Sequence, residues 1–213
     1  MSVDFWDIEK TLFSEGYRHI CGVDEAGRGP LAGPVFAAAV ILPLGTNIPH
    51  LNDSKKLSES TRAKLYNEII NISIAYAVSY ADHLEIDNMN VLNATYLAMN
   101  RAIKLLKITP DIAIVDGNRD KGIETFSKTI IGGDGKSASI AAASILAKVS
   151  RDNYMLQIAE KYPRYAFEKH KGYGTKLHYE RLREFGHCEV HRVTFLKKFF
   201  DAQQKIAHTG GMK

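Results

Sequence analysis

Cysteine is scarce in this 213-residue chain: Cys21 and Cys188 are the only two, and they stand far apart in no paired motif. A disulfide framework and a cysteine-based zinc cluster are therefore excluded, and two reduced thiols suit a cytoplasmic protein. Long apolar runs are absent as well. The longest, around residues 37–42, is the size of a strand, far short of the ~20 residues that cross a bilayer, so no membrane partner is expected. The first ten residues alternate acids with apolar side chains, not the basic-then-apolar order of a secretory signal. There are no internal repeats and no low-complexity linker. Disorder of the whole chain needs low hydrophobicity and high net charge. This sequence has 45% hydrophobic residues and a net charge of +4, which excludes it.

What is present fits one globular domain at about 100–200 residues. The charge is unevenly spread. Residues 1–160 carry sixteen Lys and Arg against nineteen Asp and Glu, whereas residues 161–213 carry twelve against five. A basic end on a near-neutral body suggests a polyanionic partner gripped by that end. A solvated basic face would leave the same signature.

Apolar patterning predicts a short amphipathic helix over residues 5–15 and a strand over 17–23 that ends at Asp24 and Glu25. A Gly/Pro-rich turn over 26–34 and a buried strand over 35–42 follow, together a hairpin with a wide connection. A helix capped by Ser58 or Ser60 extends to residue 70, and a strand covers 74–80. A helix spans 90–106, and strands cover 112–115 and 125–131. A long Ala-rich helix spans 139–162, where Pro163 stops it. The basic end comprises a Gly-rich loop over 170–175 and helices over 176–185 and 194–207. Strands alternating with helices define an α/β class, and the early hairpin makes the sheet mixed.

Acids recur at the strand ends. Asp24 and Glu25 close the first strand, Asp116 closes a central one, and Asp134 lies between a strand and the long helix. An Asp before Gly is also a common turn pair, so one such acid is weak evidence; four at successive strand ends are stronger. Open α/β sheets place sites beyond their strand ends. Four converging carboxylates would repel one another unless protonated or bridged by a cation, and an all-oxygen set suits a hard divalent ion such as Mg²⁺. Adjacent strand residues point to opposite faces. Asp24 and Glu25 could thus serve one centre only if the strand ends or bulges between them.

Three other patterns fail on context. Gly27-Arg28-Gly29-Pro30-Leu31-Ala32 matches a dinucleotide-binding fingerprint, but Pro30, Gly33 and Pro34 prevent the helix that fingerprint must open. Gly135-Lys136-Ser137 ends like a P-loop, yet the position that must be glycine is Ile130. Cys188 and His191 have metal-like spacing without a second pair, so they are structural or solvent-facing.

The stretch Cys21-Gly22-Val23-Asp24-Glu25-Ala26-Gly27-Arg28-Gly29-Pro30-Leu31-Ala32-Gly33-Pro34 closely resembles the opening motif of type 2 ribonuclease H, the bacterial ribonuclease HII family. Further matching segments are Asp53-Ser54-Lys55-Lys56-Leu57, Val115-Asp116-Gly117, Gly133-Asp134-Gly135-Lys136-Ser137, Ala147-Lys148-Val149-Ser150-Arg151-Asp152 and His170-Lys171-Gly172-Tyr173-Gly174. They run in the family's order from about Gly22 to His191. Arg28 between the two glycines, and the short stretch before the motif, are unlike the sister type, ribonuclease HIII.

The resemblance implies a ribonuclease H-like mixed sheet flanked by helices with a C-terminal helical extension. The catalytic domain would cover residues 18–208 (basic and helical from about 163), after a short helix within 1–17 and before a tail over 209–213. It implies an endoribonuclease that cuts the RNA strand of RNA–DNA hybrids and single ribonucleotides in duplex DNA. Asp24, Glu25, Asp116 and Asp134 fall on the family's metal-binding catalytic carboxylates, with Mn²⁺ or Mg²⁺ as cofactor. Two such ions would activate water and stabilise the departing 3′-oxygen, leaving 5′-phosphate and 3′-hydroxyl ends. Gly27, Arg28 and Gly29 fall on the segment that reads the ribose 2′-hydroxyl, Tyr173 on a tyrosine that stacks at the RNA–DNA junction, Lys55 on a lysine near the backbone, and Asp152 on an acid near the site. Lys169, Lys171, Lys176, Arg181 and Arg183 are expected to contact phosphates. The expected state is a monomer. Another nuclease of the same fold, or a non-catalytic hybrid-binding protein, are the alternatives.

Overall fold

The computed structural model describes the backbone of residues 4–210 and side chains as far as residue 201. After helix α1 (Asp7–Ser14), strands β1 (Ile20–Ala26) and β2 (Val35–Ile41) form the expected hairpin. Helix α2 (Glu59–Ile72), strand β3 (Ala75–Ala81), helix α3 (His83–Lys104), strands β4 (Ile112–Asp116) and β5 (Ser127–Ile130), and helix α4 (Ala138–Lys161) follow. Short α5 (Phe167–His170), α6 (Lys176–Phe185) and α7 (Val193–Gly210) build the basic end. Among the described residues the sheet has five strands in the order β3-β2-β1-β4-β5. The β1–β2 and β2–β3 pairs are antiparallel, and β1–β4 and β4–β5 are parallel.

Both faces of the sheet are covered, which is why β2 reads as one continuous apolar run. On one face Cys21, Val23, Ala37, Ala39 and Val115 pack against Ala94, Ala98, Met99 and Ala102 of α3. On the other, Ala38 and Val40 pack against Ala142, Ala143 and Leu146 of α4 and Leu65 and Ile69 of α2. Small residues let α4 approach closely. A Cβ on Gly22 would lie 2.1 Å from the backbone carbon of Ser139, so only glycine lets β1 pass under the start of α4. Both cysteines are free, and burial pushes the Cys21 thiol up to about 12, an inert core group.

Two elements differ from the sequence reading. β1 does not stop at Asp24 and Glu25: Asp24↔Ala38, Glu25↔Ala37 and Ala26↔Phe36 keep pairing with β2. Helix α3 begins at His83, seven residues before the predicted start at 90, because Asp82 and Glu85 form a reciprocal capping box. The helix is interrupted at Asn90 (φ +69°), whose side chain accepts from the Leu92 and Asn93 amides and restarts it. That internal cap is the start the periodicity picked out. Ser58, not Ser60, caps α2, and α7 runs to Gly210. Residues 211–213 of the expected tail lie outside the described residues.

Candidate active site

β1 is longer than its parallel neighbour. The β1–β4 pairing ends at Val23↔Val115, while the β1–β2 pairing continues. Pleating then sends Cys21, Val23 and Glu25 to the α3 face and Gly22, Asp24 and Ala26 to the α4 face. Ile114 packs on Ile140 of α4, and Asp116 follows two residues later on the same face. Asp134 arrives on a 3₁₀ turn, Gly133–Gly135, leading into α4. One carboxylate oxygen from each of Asp24, Asp116 and Asp134 lies within 4.8 Å of the other two.

Four acids were expected to converge, and three form the tight group. Glu25 stands beside it, because the strand neither ends nor bulges after Asp24. Glu25 pairs with Arg28 at 3.3 Å and lines a cavity of about 340 Å³ together with Asp116, Tyr96, Met99 and Arg119. Asp116 borders both the triad and this cavity.

The electrostatics are those of a site with too much negative charge. Burial raises the Asp24 pKa well above the carboxylate range, and the charges of Glu25 and Asp116 raise it further. The Glu25 amide, 2.7 Å away, and the Ser144 hydroxyl oppose them. Burial also raises Asp116; the Gly133 amide at 2.6 Å opposes this and the Asp134 charge adds to it. Glu25 is raised by burial against the pull of Arg28. Lys55 Nζ lies 3.2 Å from Asp134 Oδ2. Burial disfavours its ammonium, yet the bond to Asp134 and the nearby carboxylates outweigh that and raise its pKa. The triad offers oxygen donors only. A hard divalent cation fits that set and would restore the charged carboxylates.

The residues expected to face substrate occupy two adjoining segments. Gly27, at φ +100°, opens the turn carrying Arg28 and Gly29. The Leu31 amide donates to the Gly172 carbonyl at 2.8 Å, so this turn is bonded to the loop carrying Tyr173. The Tyr173 ring is 40% exposed, with the Arg151 guanidinium 5.5 Å and the Lys148 ammonium 5.9 Å from its centroid. Asp152 pairs with Lys148 at 2.8 Å. Lys169 is exposed, Lys171 donates to the Glu168 carbonyl, Lys176 lies 3.9 Å from Glu180, Arg181 pairs with Glu184, and Arg183 lies over Phe199. Cys188 and His191 are structural: His191 is buried and bonded to His178.

Sequence reasoning missed several residues around the site. Ser144 bonds Ser54, and its hydroxyl favours the charged form of Asp24. Glu9 of α1 accepts from the Ser137 hydroxyl at 2.7 Å and the Ser139 amide at 2.9 Å, capping α4 just after Asp134. Arg151 and Arg192 are fully buried beneath the Gly27 turn. Arg151 had one cue, a charge inside the apolar stripe of Ala147, Met155 and Ile158; Arg192 had none.

A mixed sheet carrying clustered aspartates at the carboxyl ends of its central strands, flanked by helices on both faces, is the plan of a ribonuclease H-like nuclease. The family model described as Ribonuclease HII matches residues 21–198. A Ribonuclease HII of Caldicellulosiruptor bescii is 58% identical over 194 residues, covering 91% of this chain and 94% of that protein. The crystal structure of ribonuclease H2 from Pyrococcus horikoshii superposes with a TM-score of 0.68 at 28% identity, covering 83% of this chain and 93% of that one. Bst-RNase HIII in complex with Mn²⁺ shares the fold (TM-score 0.58, 19% identity, covering 79% and 63%). The chain belongs to the ribonuclease HII family, and with it to the endonucleolytic hydrolases of the ribonuclease H class. No helix of the described residues is long and apolar enough to cross a membrane.

Proposed function

We propose that this chain, acting as a cytoplasmic monomer, hydrolyses the RNA strand of RNA–DNA hybrids. In the same reading it cuts at single ribonucleotides embedded in duplex DNA, leaving 5′-phosphate and 3′-hydroxyl ends. The observation that carries this is the three-aspartate group at the edge of the sheet that also starts the Gly27-Arg28-Gly29 turn.

Asp24, Asp116 and Asp134 would hold Mg²⁺ or Mn²⁺, with Glu25 beside them. The bound metal supplies Lewis-acid activation of water and neutralises charge at the scissile phosphate. The protein's own residues do the rest. The Gly133 and Glu25 amides orient Asp116 and Asp24 through hydrogen bonds. Lys55 brings positive charge to the edge of the carboxylate group, where a phosphate approaches. The 2′-hydroxyl is what separates RNA from DNA at one position, and Gly29, whose missing Cβ faces open space, lets backbone groups of the turn reach it. Arg28 offers a fork of donors to a neighbouring phosphate. Tyr173, between glycines in a basic loop, presents a ring for stacking on a sugar or base.

The test uses three duplexes: one with a single ribonucleotide, one long hybrid and one all-DNA, each with Mg²⁺, Mn²⁺ or EDTA. The expected result is cleavage of the first two, none of the third, and none in EDTA. Comparable cutting of all-DNA duplex would remove the ribose-reading role and favour another nuclease of this fold. Cutting in EDTA would remove the metal.

A further inference from the structure

Two arginines beneath the Gly27 turn are fully buried, and among the described residues neither forms an ion pair. A buried cation is costly unless it is paired or hydrogen-bonded, and here each guanidinium nitrogen donates to a backbone carbonyl. Arg192 donates to the carbonyls of Gly33 (Nε, 2.9 Å), Arg28 (Nη1, 2.9 Å) and Gly27 (Nη2, 2.6 Å). Arg151 donates to Pro34 (Nε, 3.1 Å), Ala32 (Nη2, 3.3 Å) and Lys171 (Nη1, 3.1 Å). A Cβ on Gly27 would lie 2.0 Å from Arg151 Nε, so the glycine makes room for the guanidinium.

The two side chains together hold five carbonyls of residues 27–34 and one of the Tyr173 loop. Arg151 alone touches both segments, and its guanidinium also faces the Tyr173 ring. A histidine relay fixes the loop from behind. The Cys188 amide donates to His191 Nδ1, which leaves His191 Nε2–H to donate to His178 Nε2 at 3.0 Å. His178 Nδ1–H then donates to the Tyr173 carbonyl at 2.9 Å. Burial, then the neighbouring Arg151 charge, pull Arg192 down to about 9, so proximity of the two cations is unfavourable in itself.

We propose that Arg151 and Arg192 are positioning residues for ribose recognition, holding the Gly27–Gly29 turn and the Tyr173 loop as one preformed surface. This rests on the substrate reading above. Neither guanidinium touches the substrate face itself; each acts through the carbonyls it orients. Preorganisation of this kind acts on substrate affinity.

The test uses the full chain with Arg151→Lys and Arg192→Lys, each of which keeps the charge and loses the planar fork. Hydrogen exchange without substrate is expected to rise about tenfold in residues 27–34 for both variants, and in 171–174 for Arg151→Lys, with β2 and α3 unchanged. On the single-ribonucleotide duplex KM is expected to rise about tenfold while kcat changes less than about threefold. Unchanged exchange in both segments would overturn the proposal. So would an unchanged KM with kcat falling by one factor on both ribonucleotide-containing duplexes, the mark of a smaller folded fraction. Failure of wild-type protein to cut any ribonucleotide-containing duplex would defeat the substrate reading instead, and the exchange data would still report on the clamp.

Discussion

At the sheet edge three aspartates and a glutamate crowd together, with Lys55 and Arg28 as the nearby cations. Beneath the Gly27 turn two guanidiniums lie near each other, and among the described residues no acid is paired to either. Both regions concentrate charge of one sign, and they relieve it by different means. Every guanidinium nitrogen finds a backbone carbonyl inside the chain, six carbonyls to six nitrogens, although burial still lowers both pKa values. The carboxylates face one another as like charges, and burial raises their pKa values. A region whose charged nitrogens all meet acceptors within the chain is scaffold, and a region of carboxylates left short of positive charge awaits a ligand.

Neutralising one member of each region tests that contrast. Asp116→Asn is expected to cut cleavage by about 10³-fold or more while hybrid binding survives, measured by gel cleavage rates and anisotropy. Wild-type rates in the variant would show that the acids are not awaiting a metal. Arg192→Met should lose about 3 kcal/mol of stability in urea titrations, since two buried carbonyls and one partly buried carbonyl are left without this donor. An unchanged midpoint would mean water replaces the guanidinium.

Acid should loosen the scaffold region through its histidines. Burial pushes His178 down to about 4 and His191 to about 3, so both fold neutral. The unfolded chain binds protons below about pH 6.5, where the folded chain resists them, so stability falls as pH drops from there toward 4. Each histidine is expected to cost on the order of 2 kcal/mol by pH 5 in thermal melts, and His178→Gln should remove its share of that loss.

Tyr173→Ala should weaken cutting at a single ribonucleotide about tenfold, with a smaller loss on a long hybrid; equal losses would separate Tyr173 from the junction. The smallest effect has the opposite sign to Arg192→Met. In EDTA, Asp24→Asn should stabilise the protein by about 1 kcal/mol, because it removes a buried like charge. A lower melting temperature there would mean that the carboxylates, too, are balanced from within.

The contrast also explains what could be read from the sequence. β2, α4 and α6 follow from apolar period and caps, and Asp116 follows from its place at a strand end, whereas Asp24 sits within β1, which runs on to Ala26. The side on which Glu25 falls depends on whether β1 keeps pairing with β2 after β4 has stopped, a register outcome that local sequence does not encode. Arg151 and Arg192 escaped because their partners are backbone carbonyls, which carry no side-chain signature. The early turn of α3 was legible in Asp82 and Glu85, but the internal cap at Asn90 drew the boundary to itself.

Glu9 ties the opening helix to the chemistry. Its carboxylate anchors the first turn of α4, Phe5 accepts the Ala138 amide, and Leu12 packs with Ile140. The leading segment is thus a keystone for a residue more than a hundred positions downstream. Peeling it away would release the strut on which Asp134 is mounted, and damage at one extremity would be felt first at the reaction centre.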